Sequence, residues 1–176
     1  MKTTGLIHIY FGNGKGKTTT VMGLCARAAG FGYRVLIYQF MKNNKTSERK
    51  TLEHAANITW LDGLEQEKFS FQMTEEEKRQ RREFYDAQLE KVTKIAVEQK
   101  FEVLFLDEAI YAIRAGLLDE QKLLDFLDHK PEQLEVILTG QGPGEALLQR
   151  ADYVSEICMR KHPFQNGQPA RDGIER

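Results

Sequence analysis

The chain has very little cysteine. Cys25 and Cys158 are the only two in 176 residues, too few and too far apart for a disulfide scaffold or a zinc site. Both are expected as buried, reduced thiols, Cys25 within a helical pattern and Cys158 in a short apolar run. Long apolar runs are missing as well, and none approaches the roughly 20 residues that a membrane span needs. Met1 to Gly5 shows no basic stretch followed by an apolar one, so no signal peptide is visible and the expected compartment is the cytoplasm. Nor does one charge dominate, since 25 Lys plus Arg face 26 Asp plus Glu for a net charge of −1. A duplex-binding protein normally carries a basic excess, so nucleic acid is not an expected partner. His8, His54 and His129 have no metal-ligand spacing, and His162 has no second ligand nearby in sequence.

What is present suits one soluble domain, residues 1–176, with 41% hydrophobic and 29% charged residues. Leu6–Phe11, Arg34–Phe40, Ile58–Leu61, Phe101–Leu106, Leu134–Leu138 and Tyr153–Met159 read as strands, rich in apolar, β-branched and aromatic residues. Helices are expected over Lys17–Ala29, ended by Gly30 and Gly32, over Leu117–His129 before Pro131, and over Glu145–Arg150. Residues 41–57 are polar and read as a loop or short helix. A long helix should begin after Thr74, with Glu77 completing a capping box and Tyr85, Leu89, Val92 and Ala96 recurring on one face. Its run Glu75–Arg82 mixes acids with bases, as on a solvated helix face. From residue 160 the tail is irregular, holding two of the four prolines. Strands alternating with helices predict an α/β fold, a mostly parallel sheet with helices on both faces.

The most informative segment is Gly12-Asn13-Gly14-Lys15-Gly16-Lys17-Thr18, which follows the first strand and opens the first helix. Binding phosphate requires several backbone N–H groups turned to one point, a cation and a helix N-terminus. Glycines permit that path, Lys17 would touch phosphate oxygens, and Thr18 would offer its hydroxyl to Mg²⁺. A tight strand-to-helix turn without a ligand would have no use for Lys-Gly-Lys-Thr-Thr. This predicts a P-loop nucleoside triphosphatase (RecA-like) architecture. One position departs from the usual pattern, for Phe11 stands where the first glycine would fall and Gly12 comes one residue late. Asp107-Glu108 ends an apolar strand, where such folds place the carboxylate that holds magnesium directly or through water.

These segments together resemble the P-loop corrinoid adenosyltransferases. The shortened loop through Thr19, Gln39-Phe40, Glu48-Arg49 with Leu52-Glu53, Leu106-Asp107-Glu108 and Leu138-Thr139-Gly140 match in order. So do Ala151-Asp152 with Val154-Ser155-Glu156 and a tail of Lys161-His162, Phe164, Gly167, Ala170 and Gly173-Ile174-Glu175. The resemblance implies transfer of the 5′-deoxyadenosyl group of ATP to the Co(I) of a reduced corrinoid, with release of triphosphate. It implies ATP bound by Gly12 to Thr19 in a reversed orientation, with Lys17 in a catalytic role. It also implies Mg²⁺, with Mn²⁺ as a substitute, held by Thr18, Glu108 and Asp107. A homodimer and a flavoprotein-type reductant are implied partners. By the same resemblance Phe69 and Phe71 would fill the lower corrin face and exclude the axial ligand; if extended they would share a side. On spacing alone the two are better explained as a packed pair of core or lid phenylalanines.

Three departures accompany the match. Phe71 stands where the family often has Trp, and Gln141 where Arg is frequent, which removes the charge from any phosphate contact there. The first strand starts within a few residues of Met1, so the N-terminal lid of longer members is expected to be absent. Arg49 is read equally as a phosphate partner or as a partner of Glu48 or Glu53, and His162 as a backbone contact of the tail. The rival functions are a P-loop phosphotransferase or ATPase acting on a small molecule, and a nucleotide-dependent nucleic-acid-binding module.

Overall fold

The computed structural model describes residues 5–66, 68 and 70–175. In chain order these form β1 (Ile7–Phe11), α1 (Lys17–Phe31), β2 (Val35–Gln39), α2 (Ser47–Leu52), β3 (Ile58–Trp60), α3 (Glu75–Glu98) and β4 (Val103–Asp107). There follow α4 (Ala109–Arg114), α5 (Glu120–His129), β5 (Glu135–Gly140), α6 (Glu145–Arg150) and β6 (Tyr153–Glu156), with 3-10 turns at Ser70–Gln72 and Pro163–Asn166. The strands make one six-stranded sheet in the order β3-β2-β4-β5-β1-β6. Every pairing is parallel, as expected for strands linked by helical crossovers.

Both faces of the sheet are covered. On one, Leu36, Leu104, Leu106, Val136 and Leu138 pack with Tyr85, Leu89 and Val92 of α3 and with apolar residues of α4, α5 and α6. On the other, Val35, Ile37, Val103, Phe105 and Ile137 pack with Val21, Met22, Cys25 and Ala29 of α1. This two-sided burial is why β2 and β4 are continuous apolar runs rather than alternating ones. α3 begins with the expected capping box, Thr74 and Glu77 bonding each other's backbone N–H. α1 ends at Gly32, in the left-handed conformation, whose N–H reaches Ala28 and Ala29.

Some expectations are corrected. α4 falls in a stretch the sequence pattern leaves unassigned, and the helix expected from Leu117 begins only at Glu120, capped by Asp119. Ser70–Gln72 is a 3-10 turn, so the segment holding Phe71 is not extended. Cys25 is buried, and burial together with the charge of Asp107 pushes its thiol up to about 12. Cys158 is exposed, because β6 lies at the end of the sheet and stops at Glu156, before the cysteine.

Candidate functional site

The strands end in register on the side where the glycine loop lies. Phe11 pairs with Gly140, and Gln39 with Asp107. Open α/β sheets bind ligands beyond these carboxyl ends.

The chain leaves β1 through glycines that sit against backbone. Gly12 has a φ of 122°, and a Cβ there would lie 2.4 Å from the carbonyl oxygen of Ile157; on Gly14 it would lie 2.7 Å from the same atom. Hydrogen bonds enforce this approach. The Gly14 N–H donates to Ile157 and the Ile157 N–H to Phe11, each at 2.8 Å, and Asn13 accepts from the Met159 N–H at 2.8 Å. The loop is thus fastened to the chain leaving β6. Gly16, also left-handed, precedes α1, and no side chain caps that helix end. Its amides and dipole therefore remain available to an anion.

A cavity of about 470 Å³ opens here. Asn13 to Thr19 form its floor, Lys42, Glu48 and Glu108 one side, and tail residues between His162 and Glu175 the other. Gly12 does not line it but shapes the loop beneath. Lys17 donates to the Gly14 carbonyl at 3.0 Å. Lys15 reaches Glu175 at 3.2 Å, and the Glu175 carboxyl is held down at about 2, chiefly by Arg171 and less by Lys15. The tail thereby returns to the loop that the first strand delivers.

Behind Thr18 lies a buried polar knot. Asp107 is fully buried, and its Oδ1 accepts from Thr18 at 2.9 Å and Thr139 at 2.6 Å. Its Oδ2 accepts from Gln39 at 2.9 Å and from Lys42 at 2.7 Å. Lys42 donates in addition to the Thr18 hydroxyl at 2.9 Å. Burial alone would raise the Asp107 carboxyl, but the charge of Lys42 and these hydrogen bonds hold it below its ordinary value. Glu108 responds the other way, for burial and the adjacent Asp107 charge raise it. Its backbone is left-handed, with φ 58°, a conformation that costs a non-glycine residue about 1–3 kcal/mol. The Glu108 N–H is held by the Thr139 hydroxyl at 2.8 Å, and the residue lines the cavity.

The oxygen donors here are hard ones, the Thr18 hydroxyl bonded to the Asp107 carboxylate, with Glu108 lining the same cavity. Among the described residues no group of three or more His, Cys, Asp or Glu gathers. Such a sparse oxygen set fits Mg²⁺, which keeps water and phosphate oxygens in its shell, and does not fit a zinc site.

Of the remaining candidates, His162 lines this cavity, whereas Phe71, Gln141 and Arg49 do not. Phe71 is 79% exposed and borders a second, smaller cavity with Ser70, Lys78, Tyr111, Arg114 and Gln141. Gln141 therefore faces this second cavity, and Phe69 lies outside the described residues. Arg49 is taken up by Glu53 at 3.6 Å, by Asp62 and by Asn44, over the Trp60 ring. His162 accepts from the Phe164 N–H at 3.1 Å and starts the 3-10 turn of the tail. Lys42 goes unrecognised in sequence, while Gln39 and Thr139 stand out there only as matched positions. Polar residues at the ends of strands otherwise wholly apolar were the available signal, since buried polar groups need partners.

A glycine-bent loop between β1 and α1, a lysine and threonine at the helix start, and a strand-end carboxylate in contact with that threonine define a P-loop nucleotide-binding α/β protein. The cytoplasmic domain of EssC has a similar fold, with a TM-score of 0.54 and 18% identity over 97% of this chain and 34% of that one. The chain belongs to the ATP:corrinoid adenosyltransferase BtuR/CobO/CobP family, whose model matches residues 3–176. It is 33% identical to the corrinoid adenosyltransferase of Escherichia coli K12 over 97% of this chain and 85% of the relative. Identity and coverage are the same for the corrinoid adenosyltransferase CobA of Salmonella typhimurium. No helix among the described residues is long and apolar enough to cross a membrane.

Proposed function

We propose that this chain transfers the 5′-deoxyadenosyl group of ATP to the Co(I) of a reduced corrinoid and releases triphosphate. The observation that carries the reading is the family match over residues 3–176, joined to a loop whose cations and helix end converge on one cavity. In this reaction the electron pair of Co(I) forms the bond to C5′, and the C5′–O bond breaks with its pair going to the triphosphate. Co(I) carries no proton, so no general base is needed. What the protein supplies is alignment of C5′ with cobalt and neutralisation of charge growing on the leaving group.

Lys17, one bond from the Gly14 carbonyl, is placed to exchange that contact for a phosphate oxygen. Lys15 can do the same by leaving Glu175. The uncapped start of α1 adds its amides and dipole. Thr18, Glu108 and Asp107 would hold Mg²⁺, which when bound supplies further charge neutralisation. Phe71, exposed beside the second cavity, is the residue of this chain proposed to meet the corrin. A homodimer, a cytoplasmic location and a flavoprotein-type electron donor complete the proposal.

The test is anaerobic incubation with ATP and chemically reduced corrinoid. A photolabile adenosylated corrinoid is the expected product, and an unaltered corrinoid spectrum counts against the reading.

A further inference from the structure

Lys42 is the one cation in direct contact with both Thr18 and Asp107 among the described bonds. The turn after β2 aims it there. Met41 adopts a left-handed φ of 57° and donates its N–H to the Tyr85 hydroxyl at 3.0 Å, while the Phe40 N–H bonds the Asp107 carbonyl at 2.9 Å. The Asp107 side chain is wholly buried, whereas that of Lys42 is 26% exposed and lines the cavity. The ammonium thus covers Oδ2 and has an open path away from it. Glu48 and Glu108 border the same space.

The Thr18 hydroxyl has one proton and two acceptor sites. Its proton goes to Asp107 and one acceptor site takes Lys42. A divalent ion on that oxygen sits at about 2.1 Å, which brings it within about 5 Å of the ammonium. Like charges at that separation in a partly buried site repel strongly. A metal on the remaining acceptor site therefore drives the ammonium away by charge repulsion.

We propose that Lys42 is a resident cation: it holds Thr18 and Asp107 together in the metal-free protein, is displaced by the divalent ion, and swings into the cavity toward the polyphosphate. This rests on the metal placement proposed above and assigns Lys42 a positioning role before nucleotide binds and a contact with substrate after it.

Mn²⁺ alone is the probe, read by its enhancement of water-proton relaxation, which separates protein-bound from free ion. Without nucleotide, Lys42→Met and Lys42→Gln should bind Mn²⁺ about tenfold more tightly than the parent chain, within the roughly 5–150-fold range of coupled sites. Lys42→Arg should stay near the parent. Lys42→Gln can still donate to Asp107 and serves alone if Lys42→Met does not fold. Equal Mn²⁺ affinity in the neutral variants and the parent, or tightening in Lys42→Arg equal to that in Lys42→Gln, would overturn the proposal. Parent protein with ATP checks the metal placement separately. Mn²⁺ bound there but not tightened by the neutral variants rejects displacement alone; no bound Mn²⁺ even with ATP rejects the metal placement.

Discussion

The hydroxyl of Thr18 donates to Oδ1 of Asp107 at 2.9 Å, joining the first turn of α1 to the end of β4 across 89 residues of sequence. Thr18→Val keeps the shape and removes this bond and a proposed metal ligand. Asp107 retains Thr139, Gln39 and Lys42, so the stability loss should be only about 1–2 kcal/mol. Affinity for the divalent ion in the presence of ATP should fall about 10–100-fold, the range seen when a metal's supporting groups are altered. Thermal unfolding and Mn²⁺ titration read the two effects separately.

The glycine loop gives a paired prediction. Gly12 and Gly16 have similar φ values, 122° and 110°, but a Cβ at Gly12 meets Ile157 at 2.4 Å whereas one at Gly16 meets nothing within 4 Å. Gly16→Ala should cost about 1–3 kcal/mol from backbone strain alone. Gly12→Ala should cost about 1–3 kcal/mol more, because backbone atoms must move, and should abolish measurable ATP binding by equilibrium dialysis. Equal losses in the two variants would mean that the contact with Ile157 does not shape the loop.

Acid should weaken the start of β1 through Glu135. Its carboxylate accepts from the N–H of Gly5 at 2.5 Å and Leu6 at 2.8 Å and contacts His8 at 2.5 Å. Burial would raise Glu135, yet these bonds depress it. A carboxyl with a folded value below its unfolded value of about 4.3 contributes stability that is complete above that value. The contribution is lost as pH falls through the folded value. Glu135→Gln should therefore be about 1–2 kcal/mol less stable than the parent at neutral pH. That gap should close in denaturant titrations run below pH 4.

Much of this was legible in the sequence for a simple reason: strands buried on both faces are apolar throughout, and β1, β2, β4 and β5 stand out as such. The loop was legible because Lys-Gly-Lys-Thr after a strand has few other uses. α4 was not, since Ala109–Arg114 is six residues long and starts from a left-handed Glu108 that no sequence pattern announces. Lys42 was hidden because it sits in a polar stretch whose path depends on the turn at Met41. Cys158 misled because an apolar run at the end of a sheet need not be covered.

Phe71 separates packing from chemistry. At 79% exposure, Phe71→Ala should change stability by less than about 0.5 kcal/mol. Turnover starting from Co(II) corrinoid, with a reduced flavoprotein supplying the one electron per cobalt, should drop at least about tenfold, a barrier about 1.4 kcal/mol higher, while turnover from chemically generated Co(I) stays within about twofold. Equal losses in both assays would remove Phe71 from the corrin face.

In the proposed reaction carbon, not phosphorus, is attacked at this P-loop. Phosphorus-31 NMR of the anaerobic reaction of ATP with Co(I) corrinoid tests it most directly. One triphosphate for each adenosylated corrinoid is the expected result. ADP and orthophosphate without triphosphate would rule out attack at C5′.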